Sequence, residues 1–424
     1  MFQRTKICAG LLVAFGGLYT ALPALAQDDQ SVQRVEITGS SIKRIDAETT
    51  VPVTILKAED LKKQGITSVE QILQTVSASQ MQVSSSQSVG LGTGGAAFAD
   101  MRGLGANKTL VLLNGRRIAN QAFDSSAPDL NMIPFAAIER IEVLRDGASA
   151  LYGTDAIAGV INFITRRDYR GGTITLGVDH PQREGGGTHT ANVGFGAGDL
   201  AKDGLNVLGF IDFQKQDQIL STQRPYYQNQ YDKNGTLAPS GTTSPGTILG
   251  STAAFPGIQQ FAYTPNGNGC QAADHLYQRG DLTNPATAGQ CGEVTSDFID
   301  FVPASQRVSG FLRGDFKLNE NNTASLEGFV ASSKVAARTA PVPYGALYLR
   351  SNSPYYPGNG ITPLPVGQTL LADQQGLPGA PNDDSLFVKW RDTTSGYRED
   401  DNSSNQARIS AILDGNLFDW DYNV

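Results

Sequence analysis

The chain has 424 residues, a formal net charge of −8, 47 glycines, and charged side chains at only 17% of positions. An acidic chain with three histidines and no dense Lys/Arg block makes a poor nucleic-acid binder. The glycine content and low charge argue against a helix-rich enzyme and suit many strands joined by turns.

The first 26 residues read as a leader. Arg4 and Lys6 precede an apolar core over residues 7–21, and Ala24-Leu25-Ala26 gives a small-x-small site for cleavage before Gln27. Pro23 and the acidic pair Asp28-Asp29 follow, which argues against a retained membrane helix, and Cys8 has the wrong neighbours for a lipoprotein site. Past the leader no run of eighteen apolar residues exists, so membrane spanning by helices is excluded.

Residues 27–50 form an N-terminal extension. Within it QRVEITGS, residues 33–40, is extended and rich in β-formers ahead of any packed element. Residues 51–56 predict a strand and residues 58–64 a short helix ended by Gly65. Thr67 then starts a second helix, with Glu70 three residues on as a capping box. Val69, Ile72, Leu73 and Val76 give that helix one apolar face, which reads as core. Gly90, Gly92 and Gly95 match G-x-G-x-x-G, but polar residues 84–88 stand where a dinucleotide fold needs an apolar strand, so the match reads as a loop. Met101-Arg102-Gly103 comes next. A strand over 109–113 then runs into Asn114-Gly115, a strong hairpin turn.

Residues 138–165 read IERIEVLRDGASALYGTDAIAGVINFIT: strand, tight turn at Asp146-Gly147, one helical turn, Gly-rich turn, strand. This string closely resembles the end of the plug domain of TonB-dependent outer-membrane receptors. Met101-Arg102-Gly103 and Leu112-Leu113-Asn114-Gly115 resemble the plug motifs usually written IRG and LIDG, with Met for Ile in the first and Leu-Asn for Ile-Asp in the second. The resemblance implies an α+β plug, residues 51–167, filling a β-barrel. It implies that Arg102 sits against acidic residues of the inner barrel wall. It also implies that Gln33, Arg34, Val35, Glu36, Ile37 and Thr38 form a Ton box, captured by TonB as an added strand. An ordinary first strand of the plug sheet is the other reading of those six residues. The extra N-terminal signalling domain of some family members has no room in this extension.

After Arg167 the pattern changes to period two. Alternation over residues 173–179, 190–197, 205–213, 308–317, 324–330, 407–413 and 418–423 predicts about seven strands of the length a tilted membrane strand needs. Short connections at 198–203, 319–322 and 415–416 alternate with outer ones at 181–187, at about 216–304 and at about 335–403. Short turns on one side and long loops on the other are the asymmetry of a membrane barrel. The fold class is therefore an α+β plug followed by antiparallel transmembrane β-barrel strands over residues 168–424, with the barrel incomplete in this chain. The resembled family uses about twenty-two strands, so the sequence reads as a plug with the first third of its barrel.

The long loops carry Tyr226, Tyr227, Tyr231, Tyr344, Tyr348, Tyr355 and Tyr356, which read equally as ligand-stacking rings or as membrane-interface girdle residues. Cys270 and Cys291, an even pair in an exported chain, read as a disulfide, worth roughly 3 kcal/mol in the chain-entropy model. A zinc site with His275 is the rival, with poor spacing. His180, His189 and His275 form no cluster, and neither a metal nor a cofactor is assigned. No catalytic triad or paired carboxylates stand out, so the chain is not read as an enzyme.

The resemblance implies this activity: a scarce ligand binds the outer loops and plug apices, and TonB, energised with ExbB and ExbD by the inner-membrane proton gradient, pulls the N-terminal segment so that the ligand passes into the periplasm. The partners are then TonB with ExbB and ExbD, outer-membrane lipid, and a small molecule such as an oligosaccharide, a siderophore or cobalamin, with no nucleic acid. The location is the outer membrane of a Gram-negative cell. The Tyr-rich, Pro/Gly-rich loops lean toward carbohydrate. A truncated, non-transporting ligand-binding module is the alternative.

Overall fold

The computed structural model describes residues 53–81, 84, 89, 93–123, 126–145, 149–225, 240–244, 246–252, 261–263, 276–278, 291–360, 370–371, 386–418 and 420–424. The first part is a five-stranded mixed sheet with short helices. Its strands are β1 (Val53–Lys57), β2 (Thr109–Leu113), β3 (Arg116–Arg117), β4 (Ile138–Leu144) and β5 (Gly159–Thr165), in the order β1-β4-β5-β2-β3. β2 runs parallel to β5 and every other pair is antiparallel. β2 and β5 are buried along their whole length, which explains why both are mostly apolar and lack an alternating pattern. Asn114 and Gly115 have φ of 52° and 75°, so the two-residue turn from β2 to β3 has positive φ at both positions, as the Asn-Gly pair favours.

Helix α1 (Ala58–Lys63) follows β1, and α2 (Val69–Thr75) buries Val69, Ile72 and Leu73, the predicted apolar face. Its cap lies one residue later than the sequence pattern suggested. Ser68 is the N-cap, accepting from the Gln71 amide at 3.2 Å, while Gln71 Oε1 accepts from the Thr67 amide at 2.8 Å. Ser68 and Gln71 thus satisfy the Gln71 and Thr67 amides, where a Thr67/Glu70 box would have taken the Glu70 amide, and the register of the apolar face selects the former. Helix α3 (Ser149–Tyr152) bridges β4 and β5.

The second part is a seven-stranded antiparallel sheet, here called the wall. In chain order its strands are β6 (Gly171–Asp179), β7 (Thr188–Ala197), β8 (Leu205–Gln216), β10 (Ala304–Asn319), β11 (Asn322–Thr339), β14 (Arg398–Leu417) and β15 (Trp420–Asn423). Between them fall β9 (Thr247–Thr252), β12 (Pro343–Leu349) and β13 (Leu386–Arg391). The wall pairs each strand with its neighbour in sequence, and among the described residues its edge strands β6 and β15 are not paired with each other.

Two local expectations are corrected. The final strand-to-strand reversal begins at Phe418, where φ is 52°, and not at Gly415-Asn416. Gly415 lies inside β14 because Asn322 and Tyr422 crowd it: a Cβ there would stand 2.0 Å from Asn322 Oδ1 and 2.8 Å from Tyr422 Oη. The long connections are also not structureless. The first contributes β9 and the second β12 and β13; β13 pairs with β9 across the two connections and with β12 within the second. These strands are short and interrupted, too brief to show a period in sequence.

Polarity across the wall is reversed from that of a water-soluble sheet. Ile174, Leu176, Val178, Ile211, Leu312, Leu326, Val330 and Ile409 all point outward and are exposed. The opposite face, turned toward the first part, buries Arg307, Arg313, Asp315, Ser325 and Glu327. A sheet in water puts its apolar face inside; a membrane barrel puts it outside, toward lipid.

Candidate functional site: the interface between plug and wall

The inner face of the wall is banded, and strand register sets the bands. Phe210, Phe311 and Phe329 stand side by side across β8, β10 and β11. With Leu208 they join the plug residues Phe135, Ala136, Ala137 and Ile138 in one apolar cluster. The wall thus completes the plug's core. Arg166 of the plug caps this band, its guanidinium 5.7 Å from the Tyr169 ring centroid and 5.9 Å from that of Phe210.

One step toward the short turns the band is ionic. Arg313 is 2% exposed, and its Nε lies 2.9 Å and 3.0 Å from the two oxygens of Asp315. Its Nη2 donates to Asp315 Oδ1 at 2.8 Å and its Nη1 to Glu327 Oε2 at 3.0 Å. Ser325 donates to Asp315 as well. The plug reaches this lattice through Asn114, whose Nδ2 donates to Glu327 Oε2 at 2.6 Å while its Oδ1 accepts from the Thr165 amide at 2.9 Å. The Leu-Asn departure from the Ile-Asp motif has chemical content: an amide can donate to Glu327 and accept from Thr165 at once, whereas an ionised Asp only accepts. The amide orientation is the one that this network satisfies.

Other polar ties complete the interface. The Ala136 amide donates to Asp212 Oδ2 at 3.1 Å, and Arg408 Nη1 reaches the Leu113 carbonyl at 3.4 Å. With its amide turned to satisfy both groups, Asn192 donates to Asp212 Oδ1 at 2.8 Å. Buried Asp129 accepts from the amides of Ala97 and Asn131, each at 3.0 Å. Burial pushes its carboxyl above the ordinary range, opposed by the Ala97 hydrogen bond and the charge of Arg307. Burial likewise lowers the Lys62 ammonium, which lies 5.3 Å from the Phe135 ring centroid. Between plug and wall a cleft is lined by Thr67, Ser68, Asn131, Thr190, Gln214 and Ser309 among others.

Arg102 is exposed, has φ of 61°, and donates to the Arg145 carbonyl at 2.7 Å, tying its turn to the end of β4. Arg145 in turn donates to Thr54 Oγ1 at 3.0 Å. Gly95 packs beside Val335 of β11, whereas Gly90 and Gly92 lie outside the described residues. Tyr344 stacks on Trp390, with ring centroids 5.4 Å apart and planes 12° from parallel. Tyr344, Tyr348 and Tyr355 are exposed and Tyr356 is half-buried. Gln33–Thr38, Tyr226, Tyr227, Tyr231 and Cys270 lie outside the described residues, and with Cys270 so does its pairing with Cys291. Sequence reasoning missed the Arg313–Asp315–Glu327 lattice. Its signal was present as charges two residues apart, on the face of a strand opposite the apolar one.

Comparison with known proteins places the first part. A sequence model of the TonB-dependent receptor plug domain matches residues 46–160. Among solved structures, the chain is similar to a ferric enterobactin receptor, PfeA, from Pseudomonas aeruginosa, at 16% identity and a TM-score of 0.48, over 87% of this chain and 39% of that one. It is similar to the siderophore receptor PirA from Acinetobacter baumannii at 17% identity and a TM-score of 0.38, over 86% of this chain and 45% of that one. FpvA of P. aeruginosa, bound to heterologous pyoverdines, matches at 9% identity and a TM-score of 0.41, over 88% and 32%. The chain thus spans less than half the length of each of these three receptors.

Proposed function

We propose that this chain, whose residues 46–160 match the plug-domain model of TonB-dependent receptors, supplies the plug and adjoining barrel strands of a receptor in the outer membrane. That receptor imports a scarce small molecule into the periplasm at the expense of the inner-membrane proton gradient. The observation that carries the reading is the reversed polarity of the wall, with the plug seated on its polar inner face. Lipid is the solvent such an outer face fits.

Ile409 is the sharpest probe, being 83% exposed near the middle of β14. Ile409→Arg is expected to cost about 2–4 kcal/mol, and most of the assembled protein, if that face meets hydrocarbon. In a water-soluble sheet the same exchange falls within about 0.5 kcal/mol. Unchanged yield of a soluble product from Ile409→Arg would overturn the membrane reading and favour a ligand-binding module.

TonB, with ExbB and ExbD, is the proposed energy source, and Gln33, Arg34, Val35, Glu36, Ile37 and Thr38 the proposed contact. β-Strand addition needs free backbone donors, so Ile37→Pro removes one and fixes φ. The expected result is loss of site-specific cross-linking between a cysteine at Glu36 and TonB in intact cells, with normal amounts of receptor in the outer membrane. Undiminished cross-linking would move the contact elsewhere. Oligosaccharides, siderophores and cobalamin are the ligand classes proposed, with Tyr344, Tyr348, Tyr355 and Tyr356 as stacking candidates in the second long connection. In the first, Tyr226, Tyr227 and Tyr231 stand as the same proposal on sequence alone.

A further inference from the structure

The two long outer connections are separated by two wall strands, yet one buried charge pair holds both. Arg391 of β13, in the second connection, is 4% exposed, and Glu293, at the end of the first, is fully buried. Arg391 Nε lies 3.7 Å from Glu293 Oε1. The hydrogen bonds of the guanidinium go to both connections: Nε donates to the Thr242 carbonyl at 3.1 Å and Nη2 to Ser240 Oγ at 2.9 Å on the first, and Nη1 donates to the Pro341 carbonyl at 2.6 Å on the second. Glu293 is positioned from its own side. Its Oε2 accepts from the Ser244 amide at 2.7 Å, and its backbone exchanges hydrogen bonds with Ser240 at 2.9 and 3.0 Å. Around this pair the backbones join. The Arg391 amide donates to the Thr243 carbonyl at 3.0 Å, β9 pairs with β13, and β13 pairs with β12.

We infer that Arg391 and Glu293 are positioning residues that clasp residues 240–244 and 246–252 of the first connection to residues 341–349 and 386–393 of the second, so that these segments move together and not independently. A buried Arg–Glu pair is suited to this. Removing one partner strands the other charge away from water, so partial separation is disfavoured and the clasp holds or opens as a whole. Arg391 is also suited by shape, since a planar fork holds three acceptors on the two connections in fixed directions while its delocalised charge faces the Glu293 carboxylate, where an ammonium is a point charge.

The test uses the full-length protein in detergent, with hydrogen exchange followed by mass spectrometry. Arg391→Met is expected to raise exchange about tenfold or more in residues 246–252 of the first connection as well as 343–349 of the second, leaving β8 and β10 unchanged. Arg391→Lys, which keeps the charge and loses the fork, should fall between. Exchange rising in the second connection alone would show that the loops are independent and overturn the inference. Thr393 Oγ1 donates to Ser244 Oγ at 2.9 Å across the two connections. The pair Ser244→Cys and Thr393→Cys should therefore oxidise readily to a disulfide and restore protection in the Arg391→Met protein. If Arg391→Met does not assemble, the cysteine pair alone decides in the otherwise unchanged protein: rapid disulfide formation supports the clasp, and its absence under oxidising conditions overturns it.

Discussion

Arg313→Ala is expected to destabilise the assembled protein by about 3–5 kcal/mol, read as loss of denaturant resistance in detergent. Arg313 is the cation of a lattice in which Asp315 and Glu327 are 4% and 1% exposed. Removing it leaves two buried carboxylates without the guanidinium that hydrogen-bonds both, and with only the more distant charges of Arg167 and Arg408 to oppose them. The cost is then the desolvation of stranded charge, which exceeds the value of any one hydrogen bond. Glu327→Gln is expected to cost less, because Arg313 keeps Asp315 and a glutamine carbonyl can still accept from Asn114. The same pair of variants separates stability from retention of the plug. Arg313→Ala should accelerate hydrogen exchange in β2 and β5 as well as in β10 and β11, since Asn114 hangs on Glu327. A cost below about 1 kcal/mol for Arg313→Ala would mean that water reaches the lattice and screens it.

Gly159→Ala is expected to cost about 3 kcal/mol or more and to loosen the plug while leaving the wall assembled. Gly159 opens β5, a central strand of the plug sheet, with φ of 140°, where a side chain is strained whatever the space around it. Here space is also lacking. A Cβ would stand 2.6 Å from the Leu144 carbonyl oxygen and 2.8 Å from Met101 Sδ. The sulfur can move, but the carbonyl cannot without shifting β4. The measurement is hydrogen exchange of β2, β4 and β5 beside that of β8 and β10. Unchanged exchange in the plug strands would show that β4 and β5 can part by the needed fraction of an ångström, and the close approach would lose its importance.

The parts of the fold that were legible in sequence are those where one physical signal repeats. Seven wall strands could be read because each alternates on the period of the pleat, and an apolar outer face over a polar inner one makes that alternation long and regular. The Asn114-Gly115 turn was legible because its backbone demand is specific to those residues. What could not be read depends on partners far away in the chain. Nothing local in Asn114 announces Glu327, and nothing in Arg391 announces Glu293, since each pairing is fixed only when register and strand order are known. The shift of the α2 cap from Thr67 to Ser68 is a smaller case of the same kind. Two adjacent residues can both cap, and packing of Val69, Ile72 and Leu73 selects one. Gly415 misled for the opposite reason. A glycine required by crowding looks, in sequence, like a glycine required by a turn.

The aromatic row of Phe210, Phe311 and Phe329 has a bearing on how the molecule folds. Each ring belongs to the wall by sequence and to the plug's core by packing. A plug without the wall would leave Phe135, Ala137 and Ile138 against water, and a wall without the plug would leave the three rings and the Arg313 lattice facing an empty interior. Neither half can complete its burial first. Plug and wall are thus expected to fold as one cooperative unit, joined through the packed segment 166–170, with the order of their synthesis along the chain not an order of folding.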